Sequence, residues 1–207
     1  MIETRFKTLC FYPGTYIAGG YNRLQTEVAG RVIENEDLVN MPNWLSLSFR
    51  SGRGAWFSLD KVKVLSYSQT LDMKKGVLRR KVRFRDRRGR RTVLSERRFI
   101  SMASPHIAAL ETTITAENWS GALEVRSALD GNVVNTGVRR YNGLNKKHLT
   151  PVEAYAFGEE YIHLKVQTTQ SELRIAEAAR TRAFGGREPL SASWCTVTQR
   201  GYVALHI

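Results

Sequence analysis

The chain has 207 residues, 42% of them hydrophobic and 25% charged, with a formal net charge of +13 and a pI near 10.1. These are ordinary globular proportions that allow a sizeable core in one domain spanning residues 1–207. No window approaches ~18 consecutive apolar residues, which excludes a helix spanning a membrane.

The opening Met1-Ile2-Glu3-Thr4-Arg5 lacks the apolar stretch of a secretory signal. From Phe11 to Leu45 the chain is dense in Tyr, Trp, Asn, Pro and Gly and poor in simple core residues, so it reads as an ordered irregular segment. Pro13-Gly14, Gly19-Gly20 and Met41-Pro42-Asn43 are its turn signals. Tyr12, Tyr16, Tyr21 and Trp44 are its amphipathic rings, able to pack and donate hydrogen bonds together. Strand alternation then begins, with Val62 and Val64 set against Lys61 and Lys63. Val82 and Phe84 alternate with Lys81, Arg83 and Arg85. The turn Asp86-Arg87-Arg88-Gly89 follows, and Thr92-Val93-Leu94 returns, which predicts a hairpin with an apolar inner face and a cationic outer face. Ala108, Leu110, Thr112 and Ile114 share one face of the next strand. Leu123, Val125 and Ser127 form another, and Ile162, Leu164 and Val166 a third. Glu117-Asn118, Ser120-Gly121, Asp130-Gly131-Asn132, Gly158 and Gly185-Gly186 punctuate them. Only Ser171–Arg182 has helical character through its alanines, with a strand over Leu173–Ala178 almost as good a reading. Repeated short strands with turns between them predict an all-β, antiparallel sandwich.

Charge is concentrated. Between Lys74 and Arg98 there are thirteen basic residues against Asp86 and Glu96, so eleven of the thirteen net positive charges lie in one segment. A solvated outer face explains this, and cations on a sheet edge discourage edge-to-edge pairing. A nucleic-acid interface on the Arg-rich hairpin 79–98 is the rival reading. It is weakened because Phe84, the aromatic within the run, alternates inward and leaves no stacking platform.

Catalytic signals are scarce. Among the carboxylates Glu34, Glu36, Asp37, Glu111, Glu159 and Glu160, the first three share the aromatic segment and read as loop carboxylates bonding backbone amides. His106, His148, His163 and His206 lack ligand spacing, so neither metal nor cofactor is expected. Gly14 with Gly19-Gly20 is no phosphate loop, because no Gly-Lys-Ser/Thr follows. Asn118-Trp119-Ser120 fits a glycosylation sequon but reads as a turn. Cys10 and Cys195 read as free thiols of a reducing, cytoplasmic setting.

Five segments, in order, carry a resemblance to a known family: YPGTYIAGGYN (12–22), NEDLVNMPNWL (35–45), LDMKKGVLRRKVRF (71–84), RRFISMASPHIAALETTITAENWSG (97–121) and SALDGNVVN (127–135). Together they resemble the amino-terminal domain of glycoside hydrolase family 65, which holds maltose, trehalose and kojibiose phosphorylases and related hydrolases. The resemblance implies an antiparallel β super-sandwich of the galactose mutarotase-like kind. It places the catalytic glutamate and the phosphate-binding residues on a separate, downstream α/α barrel that nothing here matches. For the complete enzyme it implies an α-linked disaccharide and inorganic phosphate as substrates, inversion to β-glucose 1-phosphate, and a possible homodimer. Against that family's pattern the chain reads as truncated at both ends, which predicts marginal stability or self-association in isolation.

No catalytic residue is therefore expected within this chain. Tyr16, Tyr21, Asn40, Asn43 and Trp44 are the candidate set, for carbohydrate contact or for packing against the barrel, because they combine aromatic faces with planar amides. The alternatives are a free-standing carbohydrate-binding module and the nucleic-acid binder above.

Overall fold

The computed structural model describes residues 14–136, 143–198 and 201–207. Cys10, Tyr12 and Pro13 lie outside them. The described chain forms β1 (Tyr21–Val28), β2 (Arg31–Leu38), β3 (Asn43–Ser51), β4 (Lys63–Asp72), β5 (Val77–Arg85), β6 (Arg91–Ile100), β7 (Ala108–Ala116) and β8 (Leu123–Asp130). It continues through β9 (Leu149–Phe157), β10 (Tyr161–Thr168), β11 (Arg174–Arg180), β12 (Ala183–Gly185), β13 (Glu188–Leu190), β14 (Trp194–Thr198) and β15 (Tyr202–His206). A 3-10 turn at Leu59–Lys61 precedes β4. The sheets run in the orders β1-β2, β11-β10-β9, β12-β13, β14-β15-β8-β3 and β4-β5-β6-β7, and the fold is all-β and antiparallel as the punctuation predicts.

Two compact units divide the chain: Met1–Leu47 with Arg126–Ile207, and Ser48–Val125. The boundaries fall inside β3 and β8.

In the first unit, Ile162, Leu164 and Val166 of β10 point into the core, as their alternation predicts. They meet Leu129, Val203 and Leu205 from the sheet containing β15. Burying each such side chain contributes roughly 1.5–3 kcal/mol. Val39, Met41, Leu149 and Ile175 complete the cluster, with Trp44 packed against its rim. The alanine-rich Ser171–Arg182 supplies a strand, β11, the alternative that its sequence left open. Pairing of Ile175, Glu177 and Ala179 with Val166, Leu164 and Ile162 outweighs the helix propensity of the alanines, because so short a helix is marginal by itself.

In the second unit the predicted hairpin is present. Val82, Phe84, Thr92 and Leu94 are buried, and Arg85 and Arg91 project from the other face. Asp86 fixes the turn, its Oδ1 accepting the amides of Arg88 (2.8 Å) and Arg90 (3.0 Å). Phe49 stacks on Phe57, and Phe84 packs tilted against both, with ring centroids 4.7–6.3 Å apart. Val62 joins the core and Val64 stands opposite the buried Phe84, as their alternation predicts, but β4 is an edge strand of its sheet and leaves Val64 40% exposed.

Candidate functional site

The aromatic segment is held by backbone contacts that require its glycines. A Cβ on Gly14 would lie 2.3 Å from Asn40 Oδ1, and one on Gly20 would lie 2.5 Å from the Met41 terminal methyl. Those close approaches bring Thr15 beside Met41, whose amide donates to the Thr15 carbonyl at 2.8 Å. Asn40 is the hub. Its Oδ1 accepts the Thr15 amide (3.1 Å), its own amide donates to Asn135 Oδ1 (2.8 Å), and its Nδ2 donates to the Val134 carbonyl (3.3 Å). Asn135 Nδ2 returns to the Leu38 carbonyl at 3.0 Å. Asn43 Oδ1 accepts the Leu45 amide at 3.0 Å, and Trp44 packs on the core. Three of the five candidate residues thus have their polar or apolar capacity engaged by the fold. Tyr16 and Tyr21 are the outward members, 39% and 51% exposed.

Beside this segment lies a buried polar network that the sequence did not signal. Asn22 and His148 are each 1% exposed. Asn22 Oδ1 accepts the amides of Gln170 and Ser171, both at 2.9 Å, so its NH2 must face His148 Nδ1 (3.1 Å) and Thr169 Oγ1 (3.0 Å). His148 Nδ1 is therefore the acceptor and Nε2 carries the proton, 3.3 Å from Asp37 Oδ2. Asn35 Nδ2 donates to that same oxygen at 2.6 Å. Burial holds the imidazole below its ordinary range, with the Asp37 charge opposing. A histidine beside a carboxylate has the outline of a general base. Here the lone pair that would take a proton is capped by an amide and shut from solvent, so the group braces rather than reacts.

The acidic trio of the segment lies on β2 and bonds side chains, not the backbone amides expected. Glu36 binds Arg23 at 2.7 Å, Glu34 lies 3.8 Å from Arg23, and Asp37 serves the buried network. Glu111 is held by Arg97 at 2.6 Å. Glu160 binds Arg180 at 2.6 Å; that bond outweighs desolvation and keeps its carboxyl below the ordinary range. A carboxyl held in this way, as at Glu160, is a poor proton donor near neutral pH. Glu177 differs, since burial alone pushes it up to about 8. It stands on the core face of β11, opposite Leu164 and between Ile175 and Ala179, with Oε2 buried and without a hydrogen-bond partner. Among the described residues, no three His, Cys, Asp or Glu side chains gather as metal ligands do, and no helix is long and apolar enough to cross a membrane.

Comparison with known proteins agrees with these motifs. Residues 4–206 match the model of "Glycosyl hydrolase family 65, N-terminal domain". The chain is 46% identical over 183 residues to an uncharacterized glycosyl hydrolase of Mycobacterium tuberculosis, covering 88% of this chain and 14% of that protein. It is 33% identical to a kojibiose phosphorylase of Caldanaerobacter subterraneus subsp. tengcongensis (83% of this chain, 21% of the relative). To a trehalose 6-phosphate phosphorylase of Lactococcus lactis it is 30% identical (80% and 20%). The chain thus spans about a fifth or less of the length of these curated relatives.

Proposed function

The chain belongs to glycosyl hydrolase family 65, as its N-terminal domain, and on that premise we propose that residues 1–207 are one non-catalytic β-sandwich domain that packs against a catalytic α/α barrel. The parent enzyme would cleave an α-glucosidic disaccharide such as kojibiose, trehalose or maltose, with phosphate or water as acceptor, in the cytoplasm where the exposed Cys195 thiol stays reduced. The observation that carries this reading is the match over residues 4–206 combined with a candidate segment whose amides already bond the fold. Acids bound by arginines, and a raised Glu177 facing the core, supply no acid and base flanking a sugar.

In this role Asn40, Asn43 and Trp44 hold the segment in shape, while Tyr16 and Tyr21 offer ring faces to the barrel's edge. Sedimentation of this chain with a separately produced family 65 barrel tests it. One complex is expected, weakened at least tenfold by Tyr16→Ala with Tyr21→Ala while each chain keeps its melting temperature. Independent sedimentation of the wild-type pair contradicts it. The exposure of those same rings favours a second reading, direct sugar contact. Calorimetry with maltose or trehalose would then give saturable heat that Tyr21→Ala removes.

A further inference from the structure

The cationic sheet of the second unit has an uneven charge distribution. Its acids are already engaged: Asp72 by Arg79 (3.7 Å), Asp86 by Arg90 (2.7 Å), Glu96 by Arg80, Glu111 by Arg97 (2.6 Å) and Glu117 by Arg83 (2.8 Å). At the end nearest the Asp86–Gly89 turn, the register sets Lys63 opposite Arg85 and Arg85 opposite Arg91. Three cations on adjacent strands thus share one face at about 5 Å spacing, an arrangement that destabilises a sheet by repulsion. None of the three forms an ion pair among the described residues, and the acid that Arg91 influences, Glu117, is bound by Arg83. Lys61, Lys63, Arg85 and Arg87 also line a shallow cleft of about 300 Å³ with Asp86 and Gly89. Partial burial would push the Asp86 carboxyl up, but the Arg90 side chain and the amides of Arg88 and Arg90 outweigh it, so the one acid of the cleft is occupied.

We propose that this cleft binds a phosphate oxyanion, either inorganic phosphate or the phosphoryl group of a sugar phosphate, through Lys61, Lys63, Arg85 and Arg87. A tetrahedral dianion would accept several charge-assisted hydrogen bonds and relieve the Lys63–Arg85–Arg91 repulsion. The cleft's volume lies at the small end of ligand sites, which suits a phosphate or phosphorylated monosaccharide rather than a polymer. No aromatic ring lines it for a nucleic-acid base to stack on. The site depends on no catalytic role for the domain.

The test is thermal melting and calorimetry of the 207-residue chain with potassium phosphate or glucose 6-phosphate, against chloride at equal ionic strength. Saturable stabilisation by phosphate and not by chloride is expected. Tighter binding of glucose 6-phosphate identifies a sugar phosphate as ligand, and equal binding identifies the free ion. Lys63→Gln with Arg85→Gln should weaken binding by about 100-fold, tenfold per cation, and should melt no lower than wild type without phosphate. Arg97→Gln, remote and already paired, should bind normally. The proposal is overturned by absence of saturable binding, by unchanged binding in the double variant, or by a single-stranded oligonucleotide that binds and is not displaced by phosphate.

Discussion

The aromatic segment and the arginine hairpin invert what their sequences advertise. Residues 14–45 carry amides, carboxylates and rings densely enough to supply the candidate contact set, yet Asn22, Asn40, Asn43 and Asp37 bond the fold itself. The hairpin of β5 and β6 reads as a plain solvated face, yet Lys63, Arg85 and Arg91 stand together with no ion pair of their own among the described residues. Polar density in a sequence therefore does not locate a site. Polar capacity left over after folding does.

Substitutions in each region test this contrast. Asn22→Ala should cost the most, on the order of 4 kcal/mol in urea unfolding, because it strands the amides of Gln170 and Ser171 and the His148 acceptor in the interior. Arg88→Gln, on the exposed turn, should stay within about 0.5 kcal/mol. An Asn22→Ala protein as stable as wild type would remove the distinction between the two regions.

Next in size is Glu177→Met, expected to stabilise by on the order of 3 kcal/mol at pH 8. The folded carboxyl is raised to about 8, so its protonated form is favoured by the fold. That contribution is complete below about pH 4.5, the ordinary carboxyl range, and is lost as pH rises through 8. The gain from Glu177→Met should accordingly vanish near pH 4.5 in a series of melting curves. His148 titrates the other way: burial depresses it, so its contribution is present above about pH 6.5 and falls away in acid. His148→Gln should flatten that acid limb.

Gly14→Ala should cost about 2 kcal/mol, since its methyl would collide with Asn40 Oδ1 and displace the bond to the Thr15 amide. The smallest effect belongs to the β1–β2 turn. Its two residues, Ala29 (φ 50°) and Gly30 (φ 73°), are both left-handed, the geometry of a type I′ turn. Ala29→Asn should raise stability by about 0.5 kcal/mol.

How much was legible follows from how local each signal is. Alternation at Val82/Phe84 and Ile162/Leu164/Val166 needs only neighbouring residues, and it named the buried faces correctly. Val64 is exposed because β4 lies at the edge of its sheet, a position that alternation within one strand does not show. Ser171–Arg182 read almost equally as helix or strand, and only pairing with β10 sets Glu177 opposite Leu164 on the core face. The Asn22–His148 contact joins residues 126 apart, and no spacing rule reaches that far. For Tyr16, Tyr21, Asn40, Asn43 and Trp44 the ring and amide chemistry was visible in the sequence. Which amides the backbone would claim was not.

On the proposed function, the chemistry belongs to a separate catalytic domain and this one supports it. Glucose 1-phosphate release by the purified chain, measured with kojibiose, trehalose and maltose in phosphate buffer, tests it most directly. No product above the buffer rate is predicted. Turnover that Glu177→Gln abolishes in a folded protein would contradict it.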